Sequence, residues 1–194
     1  MLPCVKNLPN LYIIAGCNGA GKTTASFTML PELLNVREFV NADEIARGIS
    51  PFRPETVSIE AGRIMLKRID ELMAQKQDFA FETTLSTRSF AVLCTNAREK
   101  GYKIHLLFLW LDSVELAIER VKQRVAQGGH HIPEETIRRR YQKGIRNFFT
   151  LYEERVDAWL FLDNSGATPT LMAENGDRGM TVHDATKWEK IKRI

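Results

Sequence analysis

Eight consecutive residues near the start of the chain have the types and spacing of a phosphate-binding loop. Residues 16–23 read GCNGAGKT and match G-x-x-x-x-G-K-[ST] at each fixed position. The glycines let successive backbone N–H groups turn inward around a β-phosphate, and the helix that follows adds the positive end of its dipole. Lys22 is expected to reach the β- and γ-phosphates, and the Thr23 hydroxyl is expected to ligate Mg²⁺. The loop therefore predicts ATP and Mg²⁺ as cofactors.

Two carboxylates follow predicted strands and are expected to point into the cleft beside this loop, because ligands bind at the carboxyl ends of parallel strands. Asp43 is the predicted base that accepts the proton of an acceptor hydroxyl, although a helix N-cap is an alternative role. Glu82 is predicted to bind the substrate or a metal-bound water, or else to be a solvated loop acid. Thr83 and Thr84 offer hydroxyls to a substrate, but threonine is also common at strand ends.

Arginines in the second half of the chain are candidates for contacting the nucleotide. Arg120 and Arg124 are one helical turn apart and off the apolar stripe, so they either fold over the phosphates or form a solvated helix face. Residues 138–140 are consecutive arginines that fan around a helix, so at most one of them is expected to reach the site. A lid-like segment is predicted at about 124–140. The predicted nucleotide-binding set is Gly16, Asn18, Gly19, Ala20, Gly21, Lys22, Thr23, Thr24 and Arg124.

Short apolar runs alternate with longer amphipathic ones, which predicts an α/β fold with a mostly parallel sheet. Five strands are expected, at 11–15, 38–40, 79–81, 103–111 and 159–162. Helices are expected at 23–30, ending before Pro31, at 56–76 and 90–100, after Ser113 and Pro133, and near Trp188. Residues 169–184 resemble a β-hairpin. The pattern is that of a three-layer P-loop NTPase resembling nucleotide kinases.

Composition and charge argue against several other classes of protein. The 194 residues, 44% of them apolar, favour one domain over 1–194 with a C-terminal extension at about 167–194. The formal charge of +3 is low for a nucleic-acid binder. Three widely spaced cysteines favour a reducing cytoplasm over a disulfide framework. With no predicted signal peptide or membrane span, a cytoplasmic location is expected. GTPase base-reading and motor-type acidic motifs are absent from the sequence.

The ordered set of motifs resembles the zeta-toxin family of P-loop kinases. The resemblance rests on the loop at 16–24, VNAD at 40–43, ETT at 82–84, GY at 101–102 and IERV at 118–121. It implies that ATP phosphorylates the 3′-hydroxyl of UDP-N-acetylglucosamine or a related UDP-sugar, and that an antitoxin protein is a partner. It also implies that Asp43 is the base, Glu82 binds the sugar, and Lys22 and Arg120 stabilise the transferring phosphate.

One position departs from the family's pattern. Where the toxins have a second ATP-contacting arginine shortly before a proline, this chain has His130 or His131 before Pro133. Either Arg124 substitutes for that arginine, or the lid is weaker or tuned differently. Two other functions stay open on the residues alone. One is a kinase for another metabolite, a nucleotide or an RNA end, and the other is an ATP-binding regulatory protein that hydrolyses slowly.

Overall fold

A computed structural model describes residues 8–194, so Cys4 lies outside the described residues. Seven strands form one sheet in the order β2-β3-β1-β4-β5-β6-β7. The first five are parallel, and β6 and β7 are antiparallel to their neighbours. The strands are β1 (Asn10–Gly16), β2 (Glu38–Val40), β3 (Phe79–Thr83), β4 (Lys103–Trp110), β5 (Ala158–Asp163), β6 (Thr170–Gly176) and β7 (Gly179–Val182).

The expectation of a five-stranded sheet is wrong, because the sheet has seven strands. The five parallel strands lie where the sequence predicts them, and the hairpin does form. Its first strand, however, pairs antiparallel with β5, with Phe161 opposite Ala173, and so continues the same sheet. Periodicity indicates a hairpin but does not indicate which edge it joins.

Within the described residues there are seven α-helices, of which the first six lie between strands and the seventh follows β7. They are α1 (Lys22–Leu33), α2 (Ala42–Ile49), α3 (Ser58–Ala74), α4 (Ser89–Glu99), α5 (Val114–Ala126), α6 (Glu134–Asn147) and α7 (Ala185–Lys192). A 3-10 turn at Pro54–Val57 precedes α3, and a π-helical turn at Phe148–Tyr152 extends α6. In residues 8–194 no helix combines the length and apolarity needed to cross a membrane.

Two helical expectations need correction. Helix α1 does not end before Pro31 but continues to Leu33 with the proline inside it. Leu30, at 2% exposure, packs against Ile14 and Leu107 of the sheet, and this tertiary packing outweighs the lost backbone hydrogen bond. Helix α2 is not among the predicted helices, and the alternative in which Asp43 caps a helix places the cap two residues too late, because the N-cap is Asn41. The helix forms because the Asn41 side chain accepts hydrogen bonds from the N–H groups of Asp43 and Glu44.

The core has two unequal halves, one on each face of the sheet. Helices α3 to α7 cover one face with the larger cluster, which includes stacked Trp159 and Trp188. The other face carries a small cluster in which α1 supplies Leu30 against Ile14 and Leu107. Helices therefore lie on both faces, which confirms the three-layer arrangement. Because β1 to β5 are parallel, their carboxyl ends lie at the same edge of the sheet.

Candidate active site

The phosphate-binding loop lies between β1 and α1 and requires its glycines, as Gly16 and Gly21 illustrate. Gly16 has φ 142°, and a Cβ there would lie 2.3 Å from the Leu109 carbonyl oxygen. Gly21 has φ 84°, and a Cβ there would lie 2.6 Å from Asn164 Nδ2. Both backbones are in the left-handed region, which other residues enter at a cost. The loop is therefore held tightly against β4 and against the turn that follows β5.

The start of α1 is open to an anion. Gly21 is its N-cap and supplies no side-chain hydrogen bond, and the first turn contains no acidic residue. The N–H groups of a first helical turn have no acceptor within the helix, and the helix dipole adds positive potential there. This geometry fits a nucleotide phosphate, the ligand that the sequence predicts for this loop.

A cluster of four side chains lies beside the loop. Lys22 Nζ donates to the Cys17 carbonyl at 2.9 Å and lies 3.5 Å from Glu82 Oε1. The Thr23 hydroxyl and Asn41 Nδ2 both donate to Glu82 Oε2, at 2.8 and 2.9 Å. The side chains of Lys22 and Glu82 are only 7% and 9% exposed. Glu82 therefore contacts both Lys22, which is expected to bind the phosphates, and Thr23, which is expected to bind the metal.

The oxygens of this cluster suit Mg²⁺, which prefers carboxylate and hydroxyl oxygens together with retained waters. Thr23 and Glu82 are the residues that would hold the ion. Thr83, in contrast, uses its hydroxyl to accept from the Leu85 N–H at 3.1 Å, and the Thr84 hydroxyl hydrogen-bonds to Ser86 at 2.9 Å. These two threonines shape the loop after β3.

Asp43 follows this cluster closely in the chain, since its N–H donates to Asn41 Oδ1 at 2.8 Å, and Arg140 contacts the loop from α6. Asp43 is exposed in the first turn of α2, whose N-cap is Asn41, so the Asp43 carboxylate is not the cap. Arg140 Nη1 donates to Asn18 Oδ1 at 3.1 Å. Burial lowers the pKa of the Arg140 guanidinium, while the nearby Asp43 carboxylate acts in the opposite direction. A half-buried arginine therefore stands between the loop and the predicted base.

The two arginines of α5 that are predicted to contact the nucleotide donate to backbone carbonyls in this structure. Arg120 donates to the carbonyls of Asn164 and Ser165, at 2.9 and 3.0 Å. Arg124 donates to the His130 carbonyl at 3.0 Å within its own α5–α6 connection. That connection also reaches the 3-10 turn, where His130 Nδ1 lies 3.6 Å from Glu55 Oε2. Arg120 thus lies at the edge of the cleft, and Arg124 shapes the segment predicted to be a lid.

The sequence model of the family described as "Zeta toxin" matches residues 4–168 of this chain. The chain belongs to the zeta toxin family. An uncharacterised protein of Haemophilus influenzae is 35% identical over 127 residues, covering 65% of this chain and 88% of that protein.

Two solved structures share the fold of this zeta toxin family chain. A chain of the AvrRxo1-ORF1:-ORF2 complex with ATP has a TM-score of 0.78 at 17% identity, covering 96% of this chain and 64% of that chain. The present chain thus spans less than two thirds of that protein. A chain of the PezAT toxin-antitoxin system of Streptococcus pneumoniae has a TM-score of 0.61 at 16% identity, covering 84% and 72%. At these identities the likeness establishes the α/β P-loop fold.

Sequence reasoning on this zeta toxin family chain missed Asn41 and did not choose Arg140 from its triplet. Helical spacing alone does not choose within the triplet, because Arg138 and Arg140 each lie three positions from a buried residue, Tyr141 and Ile137 respectively. Arg138 faces outward and pairs with Glu115 at 2.8 Å. Asn41 could have been identified as a helix N-cap, because an asparagine followed by the acidic residues Asp43 and Glu44 is typical of a helix start.

Proposed function

We propose that this zeta toxin family member is an ATP-dependent kinase that transfers the γ-phosphate to a hydroxyl group of a small acceptor. The observation that carries the proposal is the cluster in which Lys22, Thr23 and Asn41 converge on Glu82 beside the phosphate-binding loop. Phosphoryl transfer depends mainly on positioning and on electrostatic stabilisation, and these residues supply both.

The residues divide into two groups by location. The N–H groups of the loop and Lys22 would hold the phosphates, while Thr23 and Glu82 would hold Mg²⁺ directly or through bound water. The ion, when bound, neutralises negative charge on the phosphates. This role for Glu82 takes precedence here over sugar binding, because both of its oxygens already face Lys22 and Thr23.

Asp43, in the first turn of α2, is the proposed general base. Its carboxylate is exposed and is not used in capping α2, so it is accessible to an acceptor hydroxyl. Arg140 is proposed to stabilise charge on the transferring group, because it lies between Asn18 and Asp43. Arg120 supports the edge of the nucleotide site, and the segment 124–140 is proposed to close over the bound nucleotide.

The proposed acceptor is the 3′-hydroxyl of a UDP-N-acetyl sugar, which is supported by membership of the zeta toxin family. Thr84, with its part-buried hydroxyl after β3, is the proposed acceptor contact. An antitoxin protein is a proposed partner, since the PezAT structure is by name a toxin-antitoxin system. Growth arrest on expression, relieved by Lys22→Ala, would support the toxin role.

The decisive experiment measures ATP consumption with and without a panel of UDP-sugars. Stimulation by a UDP-sugar is expected in the wild type. Asp43→Asn is expected to lower the stimulated rate by about 10²–10⁴-fold, the usual contribution of a general base. Lys22→Ala is expected to abolish it, and Asp177→Asn, exposed in the β6–β7 turn, is the matched control.

Slow hydrolysis that ignores every UDP-sugar and persists in Asp43→Asn would overturn both the acceptor and the base. The panel then extends to other metabolites, nucleotides and RNA ends. If Lys22→Ala alone abolishes the biological effect, the protein is an ATP-binding regulator instead of a kinase.

A further inference from the structure

The C-terminal helix α7 is joined to the turn after β5 by a charged hydrogen bond. Lys187 Nζ donates to Asp163 Oδ2 at 2.8 Å. The Asp163 side chain is 6% exposed, whereas that of Lys187 is 47% exposed. Burial opposes ionisation of Asp163, yet hydrogen bonds from Lys187 and Ser165 outweigh it and lower the pKa of this carboxyl. Lys187 therefore keeps a buried carboxylate charged.

The charged carboxylate organises the turn that follows it. Asp163 Oδ1 accepts from both the N–H and the hydroxyl of Ser165, at 2.9 and 2.5 Å. The Ser165 hydroxyl oxygen also accepts from the Asp112 N–H at 2.8 Å, which ties the turn to the end of β4. Arg120 holds the same turn from α5 through the carbonyls of Asn164 and Ser165.

This turn, residues 163–165, touches the phosphate-binding loop directly. Asn164 Nδ2 donates to the Ala20 carbonyl at 2.8 Å, and the Asn164 N–H donates to the Trp110 carbonyl at 2.8 Å. Asn164 Nδ2 also fills the space that a side chain at Gly21 would need. Hydrogen bonds thus join α7 to the 163–165 turn and join that turn to the loop, with the short backbone of the turn between them.

We propose that Lys187 is a positioning residue for the nucleotide site and acts on the phosphate-binding loop through Asp163 and Asn164. The inference rests on the proposed nucleotide binding but adds a part of the chain beyond the family match, which ends at residue 168. The C-terminal extension then has a role besides covering β5. Without Lys187, the buried carboxylate loses a charged donor and the turn loses its fixed geometry.

The test compares Lys187→Met with Lys187→Arg, which restores a cationic donor, and with Lys190→Met as the control. Lys190 is an exposed lysine on the same helix. Titration calorimetry measures the Kd for Mg-ATP and for Mg-tripolyphosphate. Lys187→Met is expected to bind both about tenfold more weakly, the scale for losing a hydrogen bond to a charged group. Lys187→Arg and Lys190→Met are expected to stay within twofold of the wild type.

A second readout needs no nucleotide. Hydrogen exchange of the amides at 16–24 is expected to be faster in Lys187→Met and to return towards the wild-type rate in Lys187→Arg. A purely structural role predicts a lower Tm for Lys187→Met with unchanged Kd and unchanged exchange in the loop, and that result would overturn the inference. If Lys187→Met does not fold, Ser165→Ala is tested instead, because it removes the hydroxyl that bonds to Asp163 and to the Asp112 N–H. Unaltered Mg-ATP binding by Ser165→Ala would also overturn the inference.

The two proposals fail in different ways. A wild-type protein that binds neither Mg-ATP nor Mg-tripolyphosphate overturns the proposed function, and this inference with it. A wild type that binds both, with Lys187→Met binding equally well, overturns the positioning role alone.

Discussion

Arg138 and Arg140 are two positions apart on α6 but differ in burial and in their partners. Arg138 forms an exposed pair with Glu115, while Arg140 is half-buried, hydrogen-bonds to Asn18 and lies near Asp43. Exposed pairs contribute little to stability because water screens them. A guanidinium beside the phosphate site, in contrast, stabilises charge that develops in the transition state. Of these two arginines, Arg140 is therefore the one expected to contribute to the reaction.

Replacing each arginine by methionine tests this difference. Arg140→Met is expected to lower kcat by about 10²–10³-fold, the cost of losing one donor to a transition-state charge. Arg138→Met is expected to change kcat by less than about twofold, because its partner is a solvated glutamate. Steady-state kinetics with ATP and the acceptor measures both. Equal kcat values for the two variants would contradict the role proposed for Arg140.

At the scale of elements, helix α2 depends on a residue that also belongs to the site. Asn41 Oδ1 accepts from the first turn of α2, while Asn41 Nδ2 donates to Glu82. One side chain therefore both starts the helix that carries Asp43 and orients the carboxylate proposed to hold Mg²⁺. Asn41 is buried, so neither hydrogen bond is easily replaced by water.

Two substitutions separate these roles. Asn41→Ala is expected to lower the free energy of unfolding by about 1 kcal/mol or more through loss of the cap. Asn41→Ser keeps a capping oxygen but not the donor to Glu82, so it is expected to recover stability without recovering Mg-ATP affinity. Urea unfolding and calorimetry measure the two properties. The separation fails if Asn41→Ser is as unstable as Asn41→Ala.

At the scale of the whole molecule, the two faces of the sheet are covered unequally. Five helices contribute to the cluster on one face, whereas α1 is the helix in the cluster on the other. On that second face, His105 stacks on Tyr12 with ring centroids 4.9 Å apart and hydrogen-bonds to Asn10. Burial lowers the pKa of His105, so the folded protein favours the neutral ring.

Stability is expected to fall as the pH decreases from 7.5 to 5. His105 contributes stability above its unfolded pKa of about 6.5, and this is lost as the pH falls towards its lower folded pKa, by at most about 1.4 kcal/mol per pH unit. His105→Phe keeps the stack without the titration, so its stability is expected to fall less. Urea unfolding at several pH values measures this, with His131→Gln, an exposed loop residue, as control. An identical pH profile for His105→Phe and wild type would contradict the expectation.

The sequence by itself determined the features that depend on neighbouring residues. The phosphate-binding loop, the five parallel strands and the start of α5 after Ser113 all follow from local spacing and conformational preference. These signals are contained within a few residues of each feature, so no distant partner is needed to recognise them. The family motifs are local in the same sense.

Only the tertiary structure decided which distant side chains meet. Arg140 and Asn18 are 122 positions apart, and Asn41 and Glu82 are 41 apart. The joining of the hairpin to β5 and of Lys187 to Asp163 is equally non-local. Such contacts depend on how packing on both faces of the sheet orients whole elements, because a helix carries side chains in every direction and burial selects among them. For this reason Arg138 and Arg140, which the sequence left together in one triplet, have different partners in the fold.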